Sequence, residues 1–199
     1  MRLDGLVFSD EPERWEQVGF TVDAAGNCLI GDVRLVVEGG HQGLCAWSLD
    51  GVDSGGSIDG LASHRAVGAP HAAGAVGRAH PNGVVAIDHV VVTSPDPART
   101  VDALQAVGLE PRRTRDHGTM RQVFFRLGPV ILELVGPPAP DGDGPARFWG
   151  IAFTVTDLDA TARYLGDRLG TVKDAVQPGR RIASLRKEAG LALPIAFMS

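Results

Sequence analysis

The feature that most restricts the fold of this chain is an internal repeat. Two segments rich in turn-forming residues, 51–85 and 137–145, divide the 199 residues into three pieces of comparable length. Each piece begins with an apolar run typical of a strand, continues with a helix-start signal, and ends with further strand-like runs. A repeat of roughly 50 residues predicts one supersecondary module used several times.

The second piece shows the module most clearly. Residues 87–93 form a β-branched run that predicts a buried strand, and Asp96 followed by Pro97 predicts a helix N-terminus. The helix is expected to end at Gly108. Three strands are then predicted near 110–114, 122–127 and 130–135, with a tight hairpin at Gly128-Pro129 between the last two.

The third piece follows the same plan. Residues 149–155 predict the first strand, Asp157 the helix start, and Gly170 the helix end. Strands are expected near 172–176, 181–187 and 193–198. When the helix-start residues Asp96 and Asp157 are aligned, His89 of the second piece falls on Gly150 of the third.

The first piece is a degenerate copy. It predicts a strand at 3–9, a helix at 11–19, and strands near 20–22, 28–30, 33–37 and 44–49. We therefore predict a degenerate module at 1–60, a Gly/Ala-rich linker at 61–85, and two paired modules at 86–198, namely 86–137 and 147–198. The first module either completes itself with residues 44–49 or pairs with a second chain, and we expect a homodimer because unpaired strand edges tend to be covered.

Composition and motifs exclude several classes of function. The net charge of −5 and the pI near 5.6 argue against nucleic acid as a partner. No apolar run is long enough to cross a membrane, and the first residues lack a signal-peptide pattern, so we expect a cytoplasmic protein. The sequence contains no nucleophile elbow, P-loop or dinucleotide fingerprint.

Two sequence motifs carry a resemblance to a known family. The run I-D-H-V-V-V-T-S-P-D at 87–96 and the run V-I-L-E-L-V at 130–135 resemble the vicinal oxygen chelate superfamily. This superfamily includes glyoxalases, bleomycin resistance proteins and extradiol dioxygenases. The resemblance implies an α+β fold of repeated βαβββ modules, here three copies with the first degenerate, two of which pair into a curved-sheet cup.

The resemblance also implies four positions for metal ligands in that cup. In this sequence they are occupied by His89, Glu133, Gly150 and Phe197, so only two of the four carry donor side chains. A non-haem iron or catalytic zinc site ordinarily has three protein ligands. Either a divalent metal (Fe, Mn, Ni or Zn) binds to His89 and Glu133 with help from water, His117 or another chain, or the cup holds no metal.

Two hypotheses of function follow. The first is a glyoxalase-like protein that binds a small molecule in a cup whose metal site is degenerate, as in bleomycin-binding proteins. The alternative is a metal-dependent lyase, isomerase or dioxygenase with His89 and Glu133 as metal ligands. No residue is identified as the catalytic base. The predicted ligand contacts are Glu133, Arg181, Phe197, Trp149 and His117.

Overall fold

The computed structural model describes residues 1–52, 55–64 and 79–199. The first part of the chain contains a short helix and six strands: β1 Leu3–Asp10, α1 Pro12–Gln17, β2 Asn27–Ile30, β3 Val33–Val37, β4 His41–Leu49, β5 Ser57–Ile58 and β6 Leu61–Ser63. The rest contains two helices and eight strands: β7 Val84–Thr93, α2 Pro97–Ala106, β8 Pro111–His117, β9 Met120–Leu127, β10 Val130–Gly136, β11 Arg147–Val155, α3 Leu158–Leu165, β12 Lys173–Asp174, β13 Arg181–Ser184 and β14 Ile195–Met198. Two short 3-10 helices, Gly166–Arg168 and Lys187–Ala189, follow α3 and β13.

The two predicted helix starts are confirmed. The Asp96 carboxylate accepts a hydrogen bond from the backbone N–H of Arg99 at 3.1 Å, with Pro97 in the first turn. The Asp157 carboxylate accepts from the N–H groups of Asp159 and Ala160. Caps of this kind stabilise a helix by about 1 kcal/mol each. Local chemistry therefore determines where both helices begin. The two caps, Asp96 and Asp157, are the reference positions by which the second and third modules are aligned.

The eight-stranded sheet joins two modules through their first strands. Its order is β12-β13-β14-β11-β7-β10-β9-β8. Strand β7 runs antiparallel to β11 in the middle, and each of these two strands has the last strand of its own module, β10 or β14, parallel beside it. The chain is thus an α+β protein of repeated βαβββ modules, with two of them paired in one curved sheet.

The six-stranded sheet repeats the inner part of this arrangement. Its order is β2-β3-β1-β4-β6-β5, with β1 parallel to β3, β1 antiparallel to β4, and β4 parallel to β6. The strands β4, β6 and β5 therefore occupy the places that β11, β14 and β13 occupy in the larger sheet. The first module completes itself within the chain, as one of the two alternatives predicted. The homodimer stays a prediction, without the support of an unpaired first module.

Several predicted elements differ from the structure. No strand covers 20–22; instead Phe20 enters the core, where its ring centroid lies 4.8 Å from that of Trp15. The strand expected at 172–176 is reduced to Lys173–Asp174. Helix α3 ends at Leu165 rather than near Gly170, because Gly166 adopts a positive φ of 55° and stops it.

The linker prediction at 61–85 is only partly open to comparison. Residues 61–63 form strand β6 of the first sheet, and β7 begins at Val84, so both ends of the predicted linker belong to sheets. Residues 65–78 of this segment lie outside the described residues. The division of the chain into domains stays a prediction.

One hydrophobic core joins both sheets with the helices. Its aromatic centre combines Trp15 and Phe20 from the first module with Phe153 and Phe197 from the third, at centroid distances of 5.0 to 6.4 Å across the modules. Strand β10 shows how the larger sheet faces this core: Leu132 and Leu134 are buried, whereas Glu133 between them is partly exposed. On the opposite face of this strand, Ile131 and Glu133 are partly exposed.

Among the described residues, no helix has the length and apolar character needed to span a bilayer.

Candidate ligand-binding cup

The face of the eight-stranded sheet that bears Glu133, called the cup face from this point on, is defined by the strand register. Residues that pair directly across neighbouring strands project to the same side. Starting from Glu133, the register adds cup-face residues on five further strands: Arg113 and Arg115 of β8, Gln122, Phe124 and Arg126 of β9, His89 and Val91 of β7, Gly150 and Ala152 of β11, and Ala196 of β14. The two predicted metal ligands, His89 and Glu133, thus share one face on adjacent strands.

Glu133 is held by a neutral partner. The Gln122 side-chain amide donates a hydrogen bond of 2.6 Å to one Glu133 carboxylate oxygen. Gln122 was not among the predicted site residues, although the sequence carries a signal for it. The hairpin turn at Gly128-Pro129 pairs Leu127 with Val130, and this register places the polar residues of β9 beside Glu133.

His89 belongs to a second polar group, centred on Asp88. Strand β7 has a bulge at this point, because Ala152 pairs with His89 whereas Phe153 pairs with Ile87, leaving Asp88 without a cross-strand partner. The Asp88 carboxylate contacts His89 Nδ1 at 2.8 Å and Arg180 Nη1 at 2.6 Å. Adjacent residues of a regular strand face opposite sides, so sequence alone could not place Asp88 beside His89.

The charge state of this group follows from its contacts. Burial raises the pKa of Asp88, but hydrogen bonds and charge from His89 and Arg180 outweigh this effect, so the pKa lies below its usual range. An ionised Asp88 only accepts hydrogen bonds, so His89 Nδ1 carries the proton it shares with Asp88. In a neutral imidazole ring, His89 Nε2 is then an acceptor.

The third-module half of the cup face carries small residues at the positions that correspond to the metal ligands. Gly150 and Ala152 provide no donor side chain, and a Cβ atom on Gly150 would approach the Pro194 carbonyl oxygen to 3.0 Å. Val91 and Ala152 stand at equal spacing from their helix caps; Val91 pairs with Glu133 and Ala152 with Ala196. The structural counterpart of Glu133 is therefore Ala196.

The prediction that Phe197 lies in the cup is wrong. Its side chain is fully buried on the core side of the sheet, with its ring centroid 6.3 Å from those of Phe153 and Phe20. Aligning the apolar run of β14 one residue out of register caused the error, since a shift of one position moves a side chain to the other face of a strand.

The prediction that Arg181 lies in the cup is also wrong. Both of its terminal guanidinium nitrogens, Nη1 and Nη2, donate hydrogen bonds of 3.0 Å to the carboxylate of Asp159 on helix α3. Ala183, two residues along the same strand, is fully buried on the core side, so Arg181 points to the helix side as well. Its neighbour Arg180 is the arginine that reaches the cup side, because it contacts Asp88, which in turn contacts His89.

Trp149 and His117 are both exposed. Trp149 is the unpaired residue of a bulge in β11 and is 52% exposed. His117 is the last residue of β8, where it pairs with Met120 at the hairpin turn and is exposed. The structure brings neither residue into contact with Glu133 or His89, and both stay predicted ligand contacts.

The residues present do not fit a complete metal site. In the part of the chain that the structure describes, no three His, Cys, Asp or Glu side chains come together in a way that could hold a metal ion. His89 and Glu133 offer two donors, and the structurally equivalent positions Gly150 and Ala196 offer none. Two donors are one short of the usual minimum, so a metal bound at these two residues would lack a third protein ligand.

The architecture defines a class of protein, those built from paired βαβββ modules whose first strands lie at the centre of one sheet. The sequence profile described as the Glyoxalase/Bleomycin resistance protein/Dioxygenase superfamily matches residues 86–188. This match covers more than half of the chain, and the chain belongs to that superfamily. Among curated proteins, none matches this chain in sequence.

Solved structures with the same fold include a variant of 4-hydroxymandelate synthase from Streptomyces coelicolor. It is 14% identical, with a TM-score of 0.64 over 99% of this chain and 91% of that chain. Methylmalonyl-CoA epimerase from Mycobacterium tuberculosis is 18% identical, with a TM-score of 0.47 over 58% of this chain and 88% of that chain. The first likeness extends the shared fold over both sheets.

Proposed function

We propose that this protein binds a small organic molecule on the cup face and that binding does not depend on a resident metal. The observation that carries the proposal is the hydrogen bonding of the Glu133 carboxylate. One of its carboxylate oxygens is held by Gln122, whereas the other has no hydrogen-bond partner among the described residues. A half-buried carboxylate with one free oxygen on the cup face is suited to accept a hydrogen bond from a ligand.

The surroundings of Glu133 supply the apolar part of such a site. Phe124 pairs with Glu133 directly across the strands, and Ile131 and Val91 lie beside them on the same face. Ligand sites are mainly apolar with a few placed polar groups. In this proposal Phe124 contacts a ring or chain of the ligand, while Glu133 and Gln122 set its orientation.

The test is a thermal-shift screen of aromatic compounds that carry hydrogen-bond donors and differ in charge, with the protein kept in EDTA. We expect compounds that raise Tm of the native protein but not of Phe124→Ala or Glu133→Ala. Asp102→Ala, at an exposed position of helix α2, serves as the control and should keep every response. Compounds that stabilise all four proteins equally, or none that stabilises any, would overturn the proposal.

One observation favours the metal-dependent alternative. A histidine that ligates a metal commonly donates its other ring N–H to a carboxylate, as His89 does to Asp88. Elemental analysis of untagged protein tests this alternative. Near-stoichiometric Fe, Mn, Ni or Zn that is lost in both His89→Ala and Glu133→Ala would replace the first proposal with a metal-dependent lyase, isomerase or dioxygenase.

A further inference from the structure

The cup has a positive wall that binding of a small molecule does not by itself explain. Three arginines, Arg113, Arg115 and Arg126, lie on the cup face of strands β8 and β9. Glu133 lies on the same face, and the Asp88 carboxylate is already held by His89 and Arg180, in a chain whose net charge is −5. The local charge of this wall is therefore opposite in sign to the net charge of the chain.

The two faces of the same hairpin treat their arginines differently. On the outer face of the hairpin, which is the face opposite the cup face, Arg121 forms two hydrogen bonds, of 2.9 and 3.0 Å, with the Asp116 carboxylate directly across from it. On the cup face, neither Arg113 nor Arg115 has a carboxylate partner among the described residues. Arg112, in the bulge of β8, also has no carboxylate partner among the described residues, so the contrast applies to the regularly paired positions of the hairpin. At those positions the arginine of the opposite face is neutralised, whereas Arg113 and Arg115 are not.

The arginines are in line with the proposed binding site. Glu133, Phe124 and Arg113 pair successively across β10, β9 and β8, so they form one row on the cup face. Neighbouring strands are about 4.8 Å apart, which places the backbone of Arg113 roughly 10 Å from that of Glu133. The Arg115 guanidinium carbon lies 5.9 Å from the centroid of the Phe124 ring, so Arg115 extends over the cup face.

We infer that the ligand of this cup is an acidic aromatic or apolar molecule. Its carboxylate, sulfonate or phosphate group binds Arg113 and Arg115, its apolar part covers Phe124, and a hydrogen-bond donor reaches Glu133. The inference rests on the proposed function and names the chemical class of its ligand. Guanidinium groups bind such oxyanions through paired N–H donors, and the aromatic ring below Arg115 restricts where that side chain can lie.

The test compares two fluorescent probes that differ by one anionic group. 8-Anilinonaphthalene-1-sulfonate and N-phenyl-1-naphthylamine share the ring system and the N–H donor, and only the first carries a sulfonate. We expect the native protein in EDTA to bind the sulfonate probe at least tenfold more tightly than the neutral probe. This advantage should shrink as salt is raised, because the arginines are partly exposed.

Matched variants locate the binding. Arg113→Gln combined with Arg115→Gln should remove the advantage of the sulfonate probe and leave the neutral probe unchanged. Arg121→Gln, on the outer face of the same hairpin, removes a positive charge from the same strands and should change neither affinity. An unchanged Tm for each variant excludes loss of folding as the cause.

The outcomes separate the inference from the proposed function. Equal binding of both probes, with both lost in Phe124→Ala, would overturn the acidic-ligand inference and leave the cup as a binding site. Binding of the sulfonate probe that survives in Phe124→Ala and in the double arginine variant would overturn both. Failure of both probes to bind would also overturn both.

Discussion

The side-chain nitrogen of Gln122 lies 2.6 Å from a carboxylate oxygen of Glu133, on the neighbouring strand and eleven positions away in sequence. This contact places an amide where an arginine or a metal ion would otherwise balance the carboxylate. The second oxygen of Glu133 has no hydrogen-bond partner among the described residues.

The energetic weight of this contact can be measured by a double-mutant cycle with Gln122→Ala and Glu133→Ala. We expect a coupling of about 1 kcal/mol in the free energy of unfolding, because hydrogen bonds to charged, partly buried groups stabilise more than exposed ones. Urea denaturation gives the four values. Gln105 and Glu110 form the same kind of pair at 2.9 Å on the surface and provide the control, for which the coupling should be smaller. Additive effects at Gln122 and Glu133 would contradict the assignment.

Asp10 predicts a loss of stability at higher pH. Burial raises the pKa of this carboxyl group, although the backbone N–H of Ala192 donates to it and opposes the shift. A raised pKa in the folded state means that the stabilisation is complete below the unfolded pKa and is lost as pH rises through the folded pKa. Asp10→Asn should therefore raise Tm at pH 7 to 8, and the gain should vanish near pH 4. Asp102→Asn, at an exposed position of helix α2, is the control for the loss of one carboxylate from the chain.

Asp88 predicts the opposite dependence. Its pKa is lowered, since the hydrogen bonds and charges of His89 and Arg180 outweigh burial, so its contribution is present above the unfolded pKa and is lost as pH falls through the folded pKa. Asp88→Asn should lower the free energy of unfolding by roughly 1–3 kcal/mol at pH 7, the range for removing a charged hydrogen-bond partner. The difference from the native protein should narrow below pH 4. A difference that stays constant from pH 7 to pH 3 would show that Asp88 acts by packing alone.

The two cysteines should differ in reactivity. Cys28 is fully buried, and burial raises the pKa of its thiol to about 12, whereas Cys45 is partly exposed. Because the thiolate is the reactive form, an aromatic disulfide reagent at pH 8 should modify one thiol per folded chain and two in denaturant. Cys45→Ser should abolish the reaction of the folded protein. Reaction of that variant at the native rate would contradict the burial of Cys28.

Local signals were sufficient to predict the modules of the larger sheet. Asp96 with Pro97 and Asp157 mark helix starts whose chemistry depends on a few neighbouring residues, and the turn at Gly128-Pro129 fixes one hairpin. Of the half-module β4-β6-β5, only β4 was predicted, as the strand at 44–49; the short strands β5 and β6 were missed because they carry little periodic apolar signal.

The site was predictable only as far as the strands are regular. His89 and Glu133 were expected in one cup because of the resemblance to the superfamily, and the register of the adjacent strands β7 and β10 places them on one face. Asp88 reaches His89 through a bulge, and Phe197 was misplaced by a shift of one residue in β14; both depend on register, which the sequence of a single strand does not specify. The importance of Arg113 and Arg115 is visible only when they are compared with Arg121, which is paired with Asp116 on the opposite face. That comparison requires the tertiary structure.

The measurement that tests the central claim most directly is a two-dimensional amide spectrum of labelled protein in EDTA, recorded while the anilinonaphthalene sulfonate probe is added. The claim predicts saturable shifts of the Gln122 side-chain amide and of the backbone amides of Val91, Phe124 and Arg115, with the helix-side residues Ala183 and Leu132 unaffected. Shifts confined to the helix side, or shifts at the cup that require an added divalent metal, would contradict a metal-independent ligand site on the cup face.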